Sequence, residues 1–189
     1  MRLVLATRNP HKLREFGRLL PGHDLEPLPE DVALPPETGA TFEENARSKA
    51  RAAAHATGAP AIADDSGIEA AALDGLPGVR SARYAGPRAT DAENLAKLRA
   101  EAPPGTPLAY RCALAYADGA GARERMFHGR CTGTMAPAPR GERGFGYDPI
   151  FIPDDHPGER TMAELTDAEK DAISHRGRAA GALAEWLDD

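Results

Sequence analysis

Residues 3–12 read LVLATRNPHK, an apolar strand pattern that passes directly into a helix start. Asn9 suits the N-cap of a helix and Pro10 suits its first position, so the segment predicts a strand followed by a helix that reaches Leu20. Unpaired N–H groups and the helix dipole at such a start favour a bound phosphate. The alternative is an ordinary asparagine cap beside a solvated Lys12.

The rest of the chain alternates between predicted strands and helices. A short strand near residues 25–28 precedes a TFEE capping box at residues 41–44, which opens a helix that ends at GAP, residues 58–60. There follow a strand over residues 61–63, a helix over about 91–101, strands over 108–116 and 123–135 paired across Asp118-Gly119, and a last helix over about 173–187. This order predicts a mixed α/β fold in a single domain, residues 1–189.

Composition excludes several classes of protein. The 189 residues carry a formal net charge of −6 without a Lys/Arg block, which disfavours binding to nucleic-acid polymers. Cys112 and Cys131 lie in alternating apolar stretches without metal-binding spacing, which predicts buried thiols in a reducing cytoplasm. Apolar runs are too short to span a bilayer, so no membrane partner is expected.

Two adjacent acids follow the strand pattern at residues 61–67, AIADDSG. Asp64 and Asp65 repel each other, and a fold tolerates them best where a cation or a basic substrate site compensates. In an extended backbone their side chains point to opposite faces, so only one of them would face a given metal or water. An Asp-rich turn is the other interpretation.

Three further groups could carry chemistry. Glu44 lies on the same predicted helix as Lys49 and is either a Mg²⁺ ligand or only a capping-box residue. The GFGYDP segment at residues 144–149 could approach and stack on a planar base, or form a plain turn. Lys170 and the SHRG segment at residues 174–177 offer cationic donors or a solvated surface.

Together these segments resemble the inosine triphosphate pyrophosphatase family over nearly the whole chain. The resemblance is carried by TRNPHK (7–12), ETG (37–39), TFEENA (41–46) with Lys49, ADDSG (63–67), PGV (77–79), SARY (81–84), GFGYDPIF (144–151), EK (169–170) and ISHRG (173–177). It implies an elongated fold of two lobes, with a central mixed sheet and a deep cleft between the lobes, in a homodimer. It also implies Mg²⁺-dependent hydrolysis of ITP, dITP and XTP to the monophosphate and pyrophosphate.

The resemblance assigns roles by position. Asp65 is expected to be the general base and a metal ligand, and Glu44 a second metal ligand. Substrate contacts are expected from Thr7, Arg8, Asn9, Pro10, His11, Lys12, Lys49 and Ser66, and from a base and sugar pocket of Phe145, Gly146, Tyr147, Asp148, Lys170, His175 and Arg176. Arg8 and Arg143 stand where glycine is common in the family.

Other functions remain open at this point. The chain could be a phosphatase that releases orthophosphate from nucleotides, or a pyrophosphatase for modified pyrimidines. A nucleotide-binding module that does not hydrolyse its ligand is a third possibility, although carboxylates beside phosphate contacts would not help a pure binder.

Overall fold

The computed structural model describes residues 1–119 and 123–188. Its α-helices and β-strands, in chain order, are β1 (Arg2–Leu5), α1 (Pro10–Leu19), β2 (Asp24–Pro27), α2 (Phe42–Thr57), β3 (Ala61–Ala70), α3 (Asp91–Glu101), β4 (Pro107–Ala117), β5 (Glu124–Met135), β6 (Phe151–Pro153), α4 (Asp167–Ile173) and α5 (His175–Asp188). The predicted mixed α/β class is therefore confirmed. Within these described ranges no helix has the length and apolar character needed to cross a membrane.

The strands form one mixed sheet in the order β2-β1-β3-β4-β5-β6. Strand β1 pairs in parallel with both β2 and β3, while β5 pairs antiparallel with β6. Strands β4 and β5 are neighbours, as the predicted hairpin requires. Part of the turn between them, residues 120–122, lies outside the described residues.

The chain divides into two compact units. The first unit comprises Met1–Asp65, Cys112–Gly129 and Arg176–Asp189, and the second comprises Ser66–Arg111 and Arg130–His175. The core of the first unit includes Phe16, Ile62 and Leu183. The core of the second includes Leu98 and Phe151. The cleft between two lobes, which the family resemblance implies, stays a prediction.

Local signals at the helix ends act as expected. The Asn9 side chain accepts hydrogen bonds from the His11 and Lys12 amides at the start of α1. Thr41 Oγ1 accepts from the Glu44 amide at the start of α2, and Gly58 ends that helix with a positive φ of 64°. Both cysteines are buried free thiols, which confirms their predicted place in the core.

Two local interpretations need correction. Asp64 and Asp65 do not form a turn, because β3 continues through them to Ala70. Helix α4 was not predicted, and it is separated from α5 by Ser174, whose extended backbone caps α4. The Thr166 and Glu169 capping box that opens α4 is a local signal that could have found it.

Candidate active site

Asp64 is a buried acid surrounded by cations in the first unit; its side chain lies 3.0 Å from Lys12 Nζ and accepts a 3.2 Å hydrogen bond from Arg176 Nε. Arg176 also donates to Glu15 at 3.0 Å. Burial alone would raise the pKa of Asp64, but the charges of Lys12, Arg176 and Lys49 outweigh it and hold the pKa well below its usual range. Asp64 therefore stays ionised and serves as a counter-ion.

Asp65 faces a different set of partners. Its Oδ2 accepts a 2.9 Å hydrogen bond from Asn45 Nδ2, and its Oδ1 lies 3.5 Å from Lys49 Nζ. The same ammonium donates to Glu37 at 2.5 Å and to the backbone oxygen of Asp64 at 2.8 Å. The side-chain hydrogen bonds of the two acids go to different residues, and β3 extends through both acids, so their side chains point to opposite faces of the strand as predicted.

The two titrating groups of this cluster are both perturbed. Burial raises the pKa of Asp65 above its usual range, although the nearby Lys49 acts in the opposite direction. Burial would lower the pKa of Lys49, but Asp65, Asp64 and Glu37 together raise it. Asp65 therefore binds a proton more readily than an ordinary aspartate, as a general base should, while Lys49 stays charged.

At the start of α1, residues 7–12, several backbone amides already donate hydrogen bonds to side chains of the same segment. Thr7 Oγ1 accepts from the Asn9 amide at 3.1 Å, and Asn9 Oδ1 accepts from the His11 and Lys12 amides at 2.9 and 3.4 Å. His11 Nδ1 lies 2.8 Å from an Arg14 nitrogen. A phosphate here would depend on side chains, Lys12 above all, more than on the backbone amides that were expected to hold it.

Arg8 binds a neighbouring loop. Its guanidinium donates to the backbone oxygens of Leu28, Pro29, Glu30 and Val32, at distances from 2.6 to 3.2 Å. The structure thus places this side chain on the segment that follows β2, and its expected substrate contact stays a prediction.

Glu44 is exposed and only partly fulfils its predicted capping role. Its carboxylate accepts a 2.7 Å hydrogen bond from the Ala40 amide, not from Thr41 as the predicted capping box requires. The turn before the helix explains the shift, because the Gly39 amide is held by the Asn45 side chain at 2.8 Å.

Glu44 and Asp65, the two predicted magnesium ligands, both belong to the first unit. In the parts of the chain that the structure describes, no three or more His, Cys, Asp or Glu side chains are grouped to hold a metal. Mg²⁺, however, is commonly bound by one or two carboxylates together with substrate phosphates. Glu44 and Asp65 each offer carboxylate oxygens of this kind, and their binding of Mg²⁺ stays a prediction.

Asp148 organises the GFGYDP segment in the second unit. One carboxylate oxygen accepts from the Phe145 amide at 3.0 Å and from Lys170 Nζ at 2.7 Å, and the other accepts from the Tyr110 hydroxyl at 3.1 Å. Gly144 has a φ of +71°, and a Cβ there would collide with the Asp148 carboxylate. Glycine is therefore required at this position.

The neighbouring residues of the segment are also fixed. The Gly146 amide donates to Asp91 at 2.9 Å, and the Tyr147 hydroxyl donates to the Ser81 backbone oxygen at 2.7 Å. Lys170 Nζ lies 5.4 Å from the centre of the Phe145 ring.

The predicted base-pocket residues divide between the two units. Tyr110 links His175 to Asp148, since its ring stacks on the imidazole, and the second unit thus brings together Phe145, Asp148, Lys170 and His175. Arg176 belongs to the first unit, where its described contacts are to acids. Ser66 lies half-buried on β3.

Several residues of these clusters were not singled out from the sequence as site residues, among them Glu15, Glu37, Asn45 and Tyr110. Glu15 had a usable signal, because it lies three residues after Lys12 and so shares a face of α1 with it. Asn45 and Lys49 share a face of α2 in the same way. The contact of Glu37 with Lys49 and that of Tyr110 with Asp148 join distant segments, and no local pattern reveals them.

The protein thus has a mixed α/β fold, with a buried cluster of acids and cations in one unit and an aromatic loop held by a buried acid in the other. The chain belongs to the Ham1 family, whose model matches residues 3–186. This match confirms the resemblance found in the sequence.

Three relatives illustrate the similarity. The dITP/XTP pyrophosphatase of Frankia alni is 50% identical over 201 residues, covering 99% of this chain and 97% of that protein. The dITP/XTP pyrophosphatase of Deinococcus deserti is 52% identical over 188 residues, covering 96% of this chain and 86% of that protein. The structure of a HAM1 protein from Coxiella burnetii matches with a TM-score of 0.87 and 44% identity, covering 100% of this chain and 98% of that chain.

Proposed function

We propose that this protein hydrolyses deaminated purine nucleoside triphosphates, ITP, dITP and XTP, to the monophosphate and pyrophosphate. Full-length relatives named dITP/XTP pyrophosphatase support the reaction and the substrate class. The observation that carries the proposal in this chain is the Asp65 carboxylate, which has a raised pKa and is oriented by Asn45 and Lys49.

Asp65 is the proposed general base. It accepts a proton from a water molecule whose oxygen attacks the α-phosphorus, and the bond from that phosphorus to the bridging oxygen of the β-phosphate breaks. The Asn45 amide and the Lys49 ammonium fix the carboxylate before the substrate arrives, which lowers the cost of reaching the reactive geometry. Asp64 does not suit this role, because its lowered pKa makes it a poor proton acceptor.

Lys12 and Lys49 are the proposed phosphate-binding cations. Both are held by carboxylates at 3.0 and 3.5 Å, so a triphosphate would meet ammonium groups that are already ordered. Thr7, Asn9 and His11 surround the start of α1 and complete the proposed phosphate contacts. The negative charge of the leaving pyrophosphate is stabilised by the same cations.

Glu44 and Asp65 would hold a Mg²⁺ ion, whose contribution when bound is to neutralise charge on the phosphates. Their exposed and buried carboxylates provide the oxygen ligands that this ion prefers. Removal of Mg²⁺ with EDTA is expected to stop pyrophosphate release, and added Mg²⁺ is expected to restore it.

The second unit is proposed to recognise the base. Phe145 offers a ring for stacking, and Lys170 and His175 offer donors that suit the 6-oxo acceptor of hypoxanthine or xanthine. Adenine carries a donor at that position and would leave such groups unpaired, which costs about 1–3 kcal/mol for each group. Arg176 stays a predicted base contact.

The experiment that tests the proposal is to incubate the protein with ITP, XTP, GTP and ATP in Mg²⁺ and to identify the released ion. Pyrophosphate from ITP and XTP is expected, with little from ATP. Asp65→Asn should lower kcat by about 10²- to 10⁴-fold, whereas Asp24→Asn, at an exposed acid of β2, should leave it unchanged. Orthophosphate would indicate a nucleotide phosphatase, and tight binding without any product would indicate a binding module.

We also propose that the protein acts as a homodimer in the cytoplasm. The family resemblance supports the homodimer, and the two buried free cysteines support a reducing cytoplasm. Sedimentation at the concentration used for the activity assay tests the dimer, and a monomer at that concentration with full activity would refute it.

A further inference from the structure

Tyr110 is a buried residue of β4 that contacts two of the proposed base-pocket residues. Its hydroxyl donates to Asp148 Oδ1 at 3.1 Å. Its ring stacks on the His175 imidazole, with centroids 4.6 Å apart and planes only 6° from parallel. The ring also packs against Phe151, at a centroid distance of 4.6 Å.

The Asp148 carboxylate, which Tyr110 contacts, also binds two other residues of the second unit. The other oxygen of Asp148 binds the Lys170 ammonium and the Phe145 amide. A rotation of the Asp148 side chain would therefore displace a cationic donor and the backbone of a stacking residue together. The Tyr110 hydroxyl restrains that rotation from a central strand of the sheet.

We infer that Tyr110 is a positioning residue, which fixes Asp148 through its hydroxyl and His175 through its ring so that the second unit distinguishes a 6-oxopurine from adenine. The inference rests on the proposed function. Discrimination between bases depends on where donors are held, and a site supported by a strand and by a second layer of hydrogen bonds holds them more accurately than a loop alone. Tyr110 acts through these side chains and needs no contact with the substrate.

The test uses equilibrium binding, so that it does not depend on turnover. The dissociation constants of inosine monophosphate and AMP are measured by calorimetry for the wild-type protein, Tyr110→Phe and Tyr116→Phe. Tyr116 is a matched control, since it is a buried tyrosine on the same strand that packs on Trp186 in the first unit. Tyr110→Phe keeps the ring but removes the hydroxyl.

Tyr110→Phe is expected to bind inosine monophosphate about tenfold more weakly, the size expected for one hydrogen bond to a charged group. AMP binding should change little, the melting temperature should fall by roughly 3–12 °C because the buried Asp148 carboxylate loses a donor, and Tyr116→Phe should match the wild type throughout. In an Asp148→Ala background the Tyr110→Phe effect should disappear, because alanine leaves the Tyr110 hydroxyl without its partner.

Two results would overturn the inference, and a third would separate it from the proposed function. Equal inosine monophosphate binding by wild type and Tyr110→Phe would remove Tyr110 from the pocket. Equal loss for inosine monophosphate and AMP would reduce its role to general stability. A wild-type protein that releases no pyrophosphate but prefers inosine monophosphate over AMP would refute the proposed function and leave the role of Tyr110 in base recognition intact.

Discussion

Asp64→Asn is expected to destabilise the protein far more than Asp65→Asn, although the two acids are adjacent. Asp64 is 1% exposed and contacts both Lys12 and Arg176, so the substitution leaves two poorly solvated cations without their common counter-ion. Removal of one partner from a buried ion pair typically costs about 3–5 kcal/mol. For a chain of this length that corresponds to a melting temperature lower by roughly 6–20 °C.

Asp65→Asn should behave differently. Its pKa is raised by burial, so the charged form is less favoured in the folded protein than in water, and the loss of that charge costs little stability. Lys49, its cationic neighbour, retains its contacts with Glu37 and the Asp64 backbone. We expect a melting temperature within about 3 °C of the wild type, from a change of at most about 1 kcal/mol, together with a large loss of turnover.

The assay is thermal unfolding followed by circular dichroism at pH 7 without nucleotide, repeated as urea unfolding to obtain free energies. Asp24→Asn on β2 controls for the loss of a surface acid. Equal destabilisation by Asp64→Asn and Asp65→Asn would refute the conclusion that Asp64 stabilises the fold as a counter-ion while Asp65 acts in turnover. So would an Asp64→Asn protein as stable as the wild type.

Three other predictions concern the remaining clusters. Gly144→Ala should raise the KM for ITP about tenfold more than Gly146→Ala, because both glycines have a positive φ but only at Gly144 would a Cβ strike Asp148; steady-state kinetics checks this, and similar KM values would contradict it. Arg8→Ala should increase amide hydrogen exchange at residues 28 and 30–32, because the guanidinium binds carbonyls of this segment, and Arg8→Lys should not restore protection because it lacks the planar fork; unchanged exchange would show that the segment is ordered without Arg8. The hydrogen bonds from Arg160 and Thr166 lower the pKa of Glu169 to about 2, so its stabilising effect is complete above its unfolded pKa of about 4.3 and is lost as the pH falls toward 2. Urea unfolding should therefore show a shallower acid dependence for Glu169→Gln than for wild type between about pH 5 and 2, and parallel curves would exclude this contribution.

Elements with signals inside a few residues were predictable from the sequence. Asn9 and Pro10 together mark the start of α1, and Gly58 marks the end of α2 because it adopts a left-handed conformation that other residues avoid. The opposite orientations of Asp64 and Asp65 also followed from the alternation of side chains along a strand.

Features that depend on distant partners were not predictable in the same way. The adjacent acids Asp64 and Asp65 suggested a turn, because the repulsion between them disfavours a buried strand. Strand β3 nevertheless continues through both residues. The cations that compensate Asp64 come from α1 and from α5, and Arg176 lies 112 residues away. Tyr110 likewise contacts Asp148 across 38 residues. Such pairings depend on the tertiary fold and leave no periodic trace in the sequence.

The separation in sequence between Arg176 and its partners Glu15 and Asp64 also determines the order in which parts of the first unit can fold during synthesis. Glu15 and Asp64 precede Arg176 by 161 and 112 residues. At about 5–20 residues per second, Glu15 waits about 8–30 s on the ribosome before this guanidinium is made. Helix α5 brings Ala179, Ala180 and Leu183 to the same core. The first unit therefore completes its folding after the whole of the second unit has been synthesised, although residues 1–65 of the first unit emerge before the second.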